Sequence, residues 1–138
     1  MIYAISMNDG SVTILTTMGG AKVEDCIAKW HPSNQARILS YREIAENEIP
    51  SDRTFRDAWK HDLTVDVPKA QEITKGRLRL ERTALFEAND VKLQNAIADG
   101  DDTAKAEAVA ERNRLRDITK AADGVSDLEQ LKSLKAGK

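Results

Sequence analysis

The hydrophobic pattern of the chain changes period near Pro68. Before it, short β-branched runs are separated by turn residues; after it, apolar positions recur at helical spacing. Residues 2–6 and 11–16 form two such runs. The linking Met7-Asn8-Asp9-Gly10 ends in residues that tolerate or prefer positive φ, which predicts a β-hairpin. Gly19-Gly20 breaks the chain. Val23, Cys26, Ile27 and Trp30 then fall at i, i+3, i+4 and i+7, one face of a short helix. His31-Pro32 should end it, because a residue before proline avoids the helical region. Residues 37–44 alternate Ile38, Ser40, Arg42 and Ile44 against Leu39 and Tyr41, and predict a third strand. Ile49-Pro50-Ser51-Asp52 reads as a turn, and residues 63–67 as a fourth strand. A small antiparallel sheet with a helix on one face is the expected assembly.

Beyond residue 67, Asp66 is a candidate cap and Pro68 suits a first helical turn, where its missing N–H costs nothing. From there to Ala98 only Gly76 weakens a helix, by about 1 kcal/mol relative to alanine. The apolar positions Ala70, Ile73, Leu78, Leu80, Leu85, Phe86, Leu93, Ala96 and Ile97 drift around the axis without a strict heptad seam. Asp99-Gly100-Asp101-Asp102 makes a tight turn, with Asp102 or Thr103 as the next cap. A second helix then runs to about Lys120, its inner positions Ala106, Val109, Ala110, Asn113 and Leu115. A connection this short implies an antiparallel hairpin. Ser126 and Glu129 have capping-box spacing before a short helix carrying Leu128, Leu131 and Leu134, and residues 135–138 are expected to fray. The fold class is therefore α+β: a small sheet with a short helix (1–67), a long α-helical hairpin (68–120), and a short terminal helix with a tail (121–138). The second helix pairs with little more than half of the first. The remainder must lie on the sheet, meet another chain or stand in solvent.

Composition sharpens this division. Five of the six aromatic residues lie before Pro68, and 12 of the 18 alanines lie after it. Bulky core material is thus concentrated in the first half. The formal charge is −2, from 21 basic and 23 acidic residues, which lowers the expectation of nucleic-acid or anionic-membrane binding. No apolar run approaches the roughly 18 residues of a bilayer span, and the first residues lack a basic secretory pattern. The one cysteine, Cys26, excludes an internal disulfide and fits a reducing compartment.

Candidate chemistry is sparse. Asp99-Gly100-Asp101-Asp102-Thr103 superficially matches the opening of a calcium loop, but the sixth and twelfth positions are Ala104 and Ala110, not glycine and glutamate. Cys26, His31 and His61 are the only soft or imidazole ligands, one short of a structural metal set. Gly19-Gly20-Ala21-Lys22 lacks the spacing of a phosphate loop. The cations Lys69, Lys75, Arg77, Arg79 and Arg82 are interrupted by Glu72 and Glu81 and wrap the helix, the pattern of a solvated face. No catalytic residue, metal or cofactor is expected, and the enzyme class ranks lowest.

The densest segment is Ile49-Pro50-Ser51-Asp52-Arg53-Thr54-Phe55-Arg56-Asp57-Ala58-Trp59. A helical turn after Ser51 or Asp52 would set Phe55 and Trp59 on one face, with Arg53 and Asp57 paired beside them. Buried, the rings contribute several kcal/mol of core stabilisation, about 25 cal/mol per Å² of apolar surface. Exposed, they would anchor a partner, where tryptophan and arginine are typical hot-spot residues. The paucity of other large residues favours the core.

This segment resembles the I-P-x-D-R-T-F-R-[ND]-A-W stretch of a family of small proteins of tailed bacteriophages. The resemblance continues at Val67-Pro68-Lys69-Ala70-Gln71-Glu72-Ile73, Arg77-Leu78-Arg79, Ala98-Asp99-Gly100-Asp101 and Leu115-Arg116-Asp117-Ile118-Thr119. It also takes in Asp9-Gly10-Ser11-Val12 and Lys29-Trp30, so it covers almost the whole chain. The chain departs from the pattern at Glu87-Ala88-Asn89-Asp90-Val91-Lys92, where the family is more apolar. Such proteins usually occur among structural and tail genes. The resemblance therefore implies a non-enzymatic virion or tail-associated protein, located in the particle or in the host cytoplasm during assembly. It would act through contacts with other phage proteins and through homo-oligomers, with coiled-coil character in the hairpin. A transient tail-fibre assembly chaperone is the alternative, and a small nucleic-acid-binding regulator a more distant one. The expected contact residues are Arg53, Phe55, Arg56 and Trp59, then Arg77 and Leu80 on the long helix.

Overall fold

The computed structural model describes residues 1–137. They form two compact units that divide between Asp66 and Val67. The first contains strands β1 (Ile2–Met7) and β2 (Val12–Thr16), helices α1 (Val23–Ile27) and α2 (Pro32–Gln35), and strand β3 (Ile38–Ile44). Two 3₁₀ turns follow, Glu46–Glu48 and Arg56–Ala58. The second unit contains α3 (Val67–Asp99), α4 (Asp102–Arg116), a 3₁₀ segment (Ile118–Ala122) and α5 (Leu128–Ser133).

The hairpin turn closes through local chemistry. Gly10 has φ +82°, its N–H donates to Met7 O, and the Met7 N–H donates to Ser11 O. Asp9 accepts from the N–H and hydroxyl of Ser11, and Arg37 adds an ion pair from the start of β3. The sheet order is β2-β1-β3, antiparallel throughout, with Ile2 opposite both Thr16 and Ile44. Central strand β1 has Ala4, Ile5, Ser6 and Met7 all buried, so both faces of the sheet are covered. On the face of Ala4, Trp59 and Leu63 pack with Ile44, flanked by Ile14 and Val65. The other face carries Tyr3, Ile5 and Met7. There Tyr41 of β3 donates to Glu24 of α1, and Val23 is buried.

Two local expectations change in this unit. His31-Pro32 also opens α2, with the His31 ring nitrogen accepting from the Ser33 N–H. Residues 63–67 form no fourth strand; only an isolated Trp59–Val65 bridge forms. The alternating pattern lies on a chain reversal. Asp62 accepts from the Thr64 N–H and hydroxyl, Lys60 N–H donates to Thr64 O, and Leu63 sits at φ +66°. A left-handed leucine costs roughly 1–2 kcal/mol, and the burial of its side chain offsets that.

In the second unit α3 runs 33 residues without a break at Gly76, about 50 Å at 1.5 Å per residue. Gly100 turns the chain at φ +67°, and Asp101, not Asp102 or Thr103, caps α4 by accepting from the Ala104 N–H at 3.0 Å. Helix α4 stops at Arg116, short of Lys120, where Asp117 leaves the helical geometry. Its inner positions are Ala104, Ala108, Glu111 and Leu115. Ala106, Val109, Ala110 and Asn113 point outward instead. Leu115 anchors this phase at 0% exposure, and Asn89 of α3 donates a 2.8 Å hydrogen bond to Ala108 O.

The part of α3 beyond the reach of α4 is covered along one side from within its own unit. The 3₁₀ segment and α5 pack along it. Gln71 donates to Val125 O, Lys75 pairs with Asp123, and Arg77 donates to Leu131 O. Asp127, not a Ser126–Glu129 box, caps α5 by accepting from the Glu129 and Gln130 N–H groups. Nor does the tail fray over residues 135–137: Ala136 is fully buried, its N–H donates to Glu81 and its carbonyl accepts from Arg114. The remainder of that expectation, Lys138, lies outside the described residues. Among the described residues, no helix is long and apolar enough to cross a membrane.

Candidate functional site

The segment from Pro50 to Trp59 is built by its own short-range bonds. Asp52 accepts from the Thr54 N–H at 3.0 Å and hydroxyl at 2.7 Å, an Asx-type turn. The 3₁₀ turn after Phe55 follows, and the Asp66 N–H ties back to Ala58 O at 2.7 Å. This geometry sorts the segment by direction. Phe55, Ala58 and Trp59 are buried at 5%, 0% and 2% exposure, so both rings belong to the interior. Arg53, Arg56 and Asp57 are exposed. Arg53 does not pair with Asp57, because a tight 3₁₀ turn replaces the α-helical spacing that would align them. Neither guanidinium is engaged by another described residue. Two free cations three residues apart can receive a carboxylate surface, and arginine holds carboxylates in bidentate geometry.

The indole N–H of Trp59 is buried with no hydrogen-bond partner among the described residues. Such an orphan costs about 1–3 kcal/mol, which the burial of the large ring outweighs.

The cations of α3 are committed differently. Arg77 donates to Leu131 O at 3.0 Å and pairs with Glu81, Lys75 pairs with Glu72 and Asp123, and Arg82 donates to the carbonyls of Leu115 and Arg116. Arg82 also lies over the Phe86 ring at 5.6 Å. They clamp the C-terminal segments and satisfy carbonyls at the end of α4, where positive charge also complements the helix dipole. Asp123 and Glu72 hold the Lys75 ammonium pKa above its usual range. Hydrogen bonds from Arg116 and Lys120 lower the Asp117 carboxyl to about 2. Leu80, by contrast, is 79% exposed.

A second feature escaped the reading of the sequence. Phe86 and Asp90 of α3 and Val109, Arg112, Asn113 and Arg116 of α4 line an open groove along one side of the hairpin, about 570 Å³ in volume. The signal was present in the Ala106–Val109–Asn113 periodicity, which marks an apolar face but does not say what covers it.

The residues with metal-binding chemistry stay apart. Among the described residues no group of three or more His, Cys, Asp or Glu side chains converges. Cys26 is a half-buried free thiol, and His31 serves as a helix cap. Comparison with protein-family models, with curated proteins and with solved structures returns no match to this chain.

Proposed function

We propose that this chain is a non-enzymatic structural component of a tailed phage, acting in the virion or tail through protein–protein contacts. What supports the reading is the resemblance carried by Ile49–Trp59, and the two-sided character of the Asp52–Trp59 segment suits it to such contacts. Its aromatic residues are spent on the interior, while Arg53 and Arg56 stand outside with guanidiniums free of partners among the described residues. Residues that do not stabilise the fold but sit on a rigid, aromatic-anchored turn are suited to recognition. The partner surface would be acidic. Arg77 acts within the chain, and Leu80 supplies a separate exposed apolar contact.

The anionic track of a nucleic acid is a poorer fit, because Lys75, Arg77 and Arg82 are already bonded within the chain. Mass spectrometry of purified particles tests the proposal and should find the chain at defined stoichiometry. Replacing Arg53 and Arg56 by alanine should deplete it from particles while the protein stays folded. Absence of the wild-type chain from particles, with capture by a fibre protein, would assign the transient chaperone role instead.

A further inference from the structure

We infer that the Phe86–Val109 side of the α3–α4 hairpin is a self-association surface whose occupant is a second copy of the same hairpin. The inference deepens the assembly reading above and rests on it for its biological setting.

Three observations converge on this side. Helix α4 turns its Ala106–Val109–Asn113 face outward, and Val109 is 41% exposed. Helix α3 adds Phe86 to the groove, and Ile97, 58% exposed, falls within about 20° of Phe86 around the helix at 100° per residue. Asp90 from α3 and Arg112 from α4 line the same groove with opposite charge, and neither has an ion-pair or hydrogen-bond partner among the described residues.

The register of the hairpin turns this into self-complementarity. The Asn89 bond to Ala108 O sets Asp90 close to the level of Val109, about one helical turn from Arg112. A twofold axis parallel to the hairpin would lay α3 of one copy on α4 of the other at the same level. Val109 and Phe86 would then be covered twice over, and each Asp90 would reach the Arg112 of the other copy. The contact is isologous, so it closes at a dimer and forms a four-helix arrangement. Leu80 and Val91, also exposed, lie on a different side of α3 with Glu87 between them and form no groove with α4.

Sedimentation of the full chain, from a few to about 200 µM, reads the result directly through mass action. Wild type should show a reversible monomer–dimer equilibrium. Asp90→Arg and Arg112→Asp should each weaken it at least tenfold while far-ultraviolet circular dichroism stays unchanged. A one-to-one mixture of the two variants should recover dimers, because each chain then offers the charge the other needs. A wild-type monomer throughout, a dimer indifferent to both substitutions, or folded variants that do not complement each other would each overturn the inference. None of these would touch the assembly reading, which stands or falls on presence in particles.

Discussion

The phase of α4 can be tested by two substitutions at neighbouring positions. Periodicity alone places Val109 inside; the structure places Ala108 there, 4% exposed, with the Asn89 amide 2.8 Å from its carbonyl. Ala108→Leu adds three carbons at a side chain only 4% exposed, beside the Asn89 amide, an overpacking cost of about 1–3 kcal/mol. It also pushes the Asn89 amide away, losing roughly 1 kcal/mol more. The expected destabilisation is about 2–4 kcal/mol. Val109→Ala removes a side chain already 41% exposed, a loss of about 1 kcal/mol at most. The better helix propensity of alanine returns about half a kcal/mol of that. Guanidinium unfolding followed by far-ultraviolet circular dichroism measures both, at low micromolar concentration so that self-association does not contribute. A larger loss for Val109→Ala than for Ala108→Leu would refute the assigned phase, and with it the outward groove.

Other consequences are as direct. Leu131→Ala, at a fully buried position, should cost about 3 kcal/mol in the same assay. Glu81→Ala should release the tail, raising the exchange rate of the Ala136 amide roughly fivefold at this half-exposed bond, read by hydrogen exchange. Trp59→Phe removes an unpartnered buried donor with part of the ring, so the terms oppose. The net change should stay within about 1 kcal/mol, and a loss above about 3 would show the indole N–H to be engaged. Asp9, hydrogen-bonded by Ser11, and Asp117, by Arg116, should titrate near 2 instead of 3.8 by carboxyl NMR. Their folded pKa values are depressed, so their support is complete above the unfolded value and is lost as pH falls from about 4 through 2.

The local elements were largely legible in the amino-acid order. Asn8-Asp9-Gly10 marks the first hairpin, Gly100 the second, and the run after Pro68 holds nothing strong enough to stop a helix. These are short-range effects of φ preference and turn chemistry, and a window of a few residues contains them. The inward direction of Phe55 and Trp59 was also foreseeable, because so few other large residues exist to fill a core. The free state of Arg53 and Arg56 was not: helical spacing would have paired Arg53 with Asp57, and only the 3₁₀ turn separates them.

What the tertiary structure alone decided are matters of partner and direction. Residues 63–67 alternate like a strand, but the fold spends them on a reversal at Leu63. Alanine surrounds α4, so its periodicity is nearly degenerate, and the long-range contacts of Leu115 and Asn89 choose the face. The tail around Ala136 reads as polar and unstructured until Glu81 and Arg114, distant in sequence, supply its backbone partners. Turn chemistry is encoded in neighbours, whereas a helix face or a docked tail acquires its energy from residues 19 to 55 positions away, which no local pattern can specify.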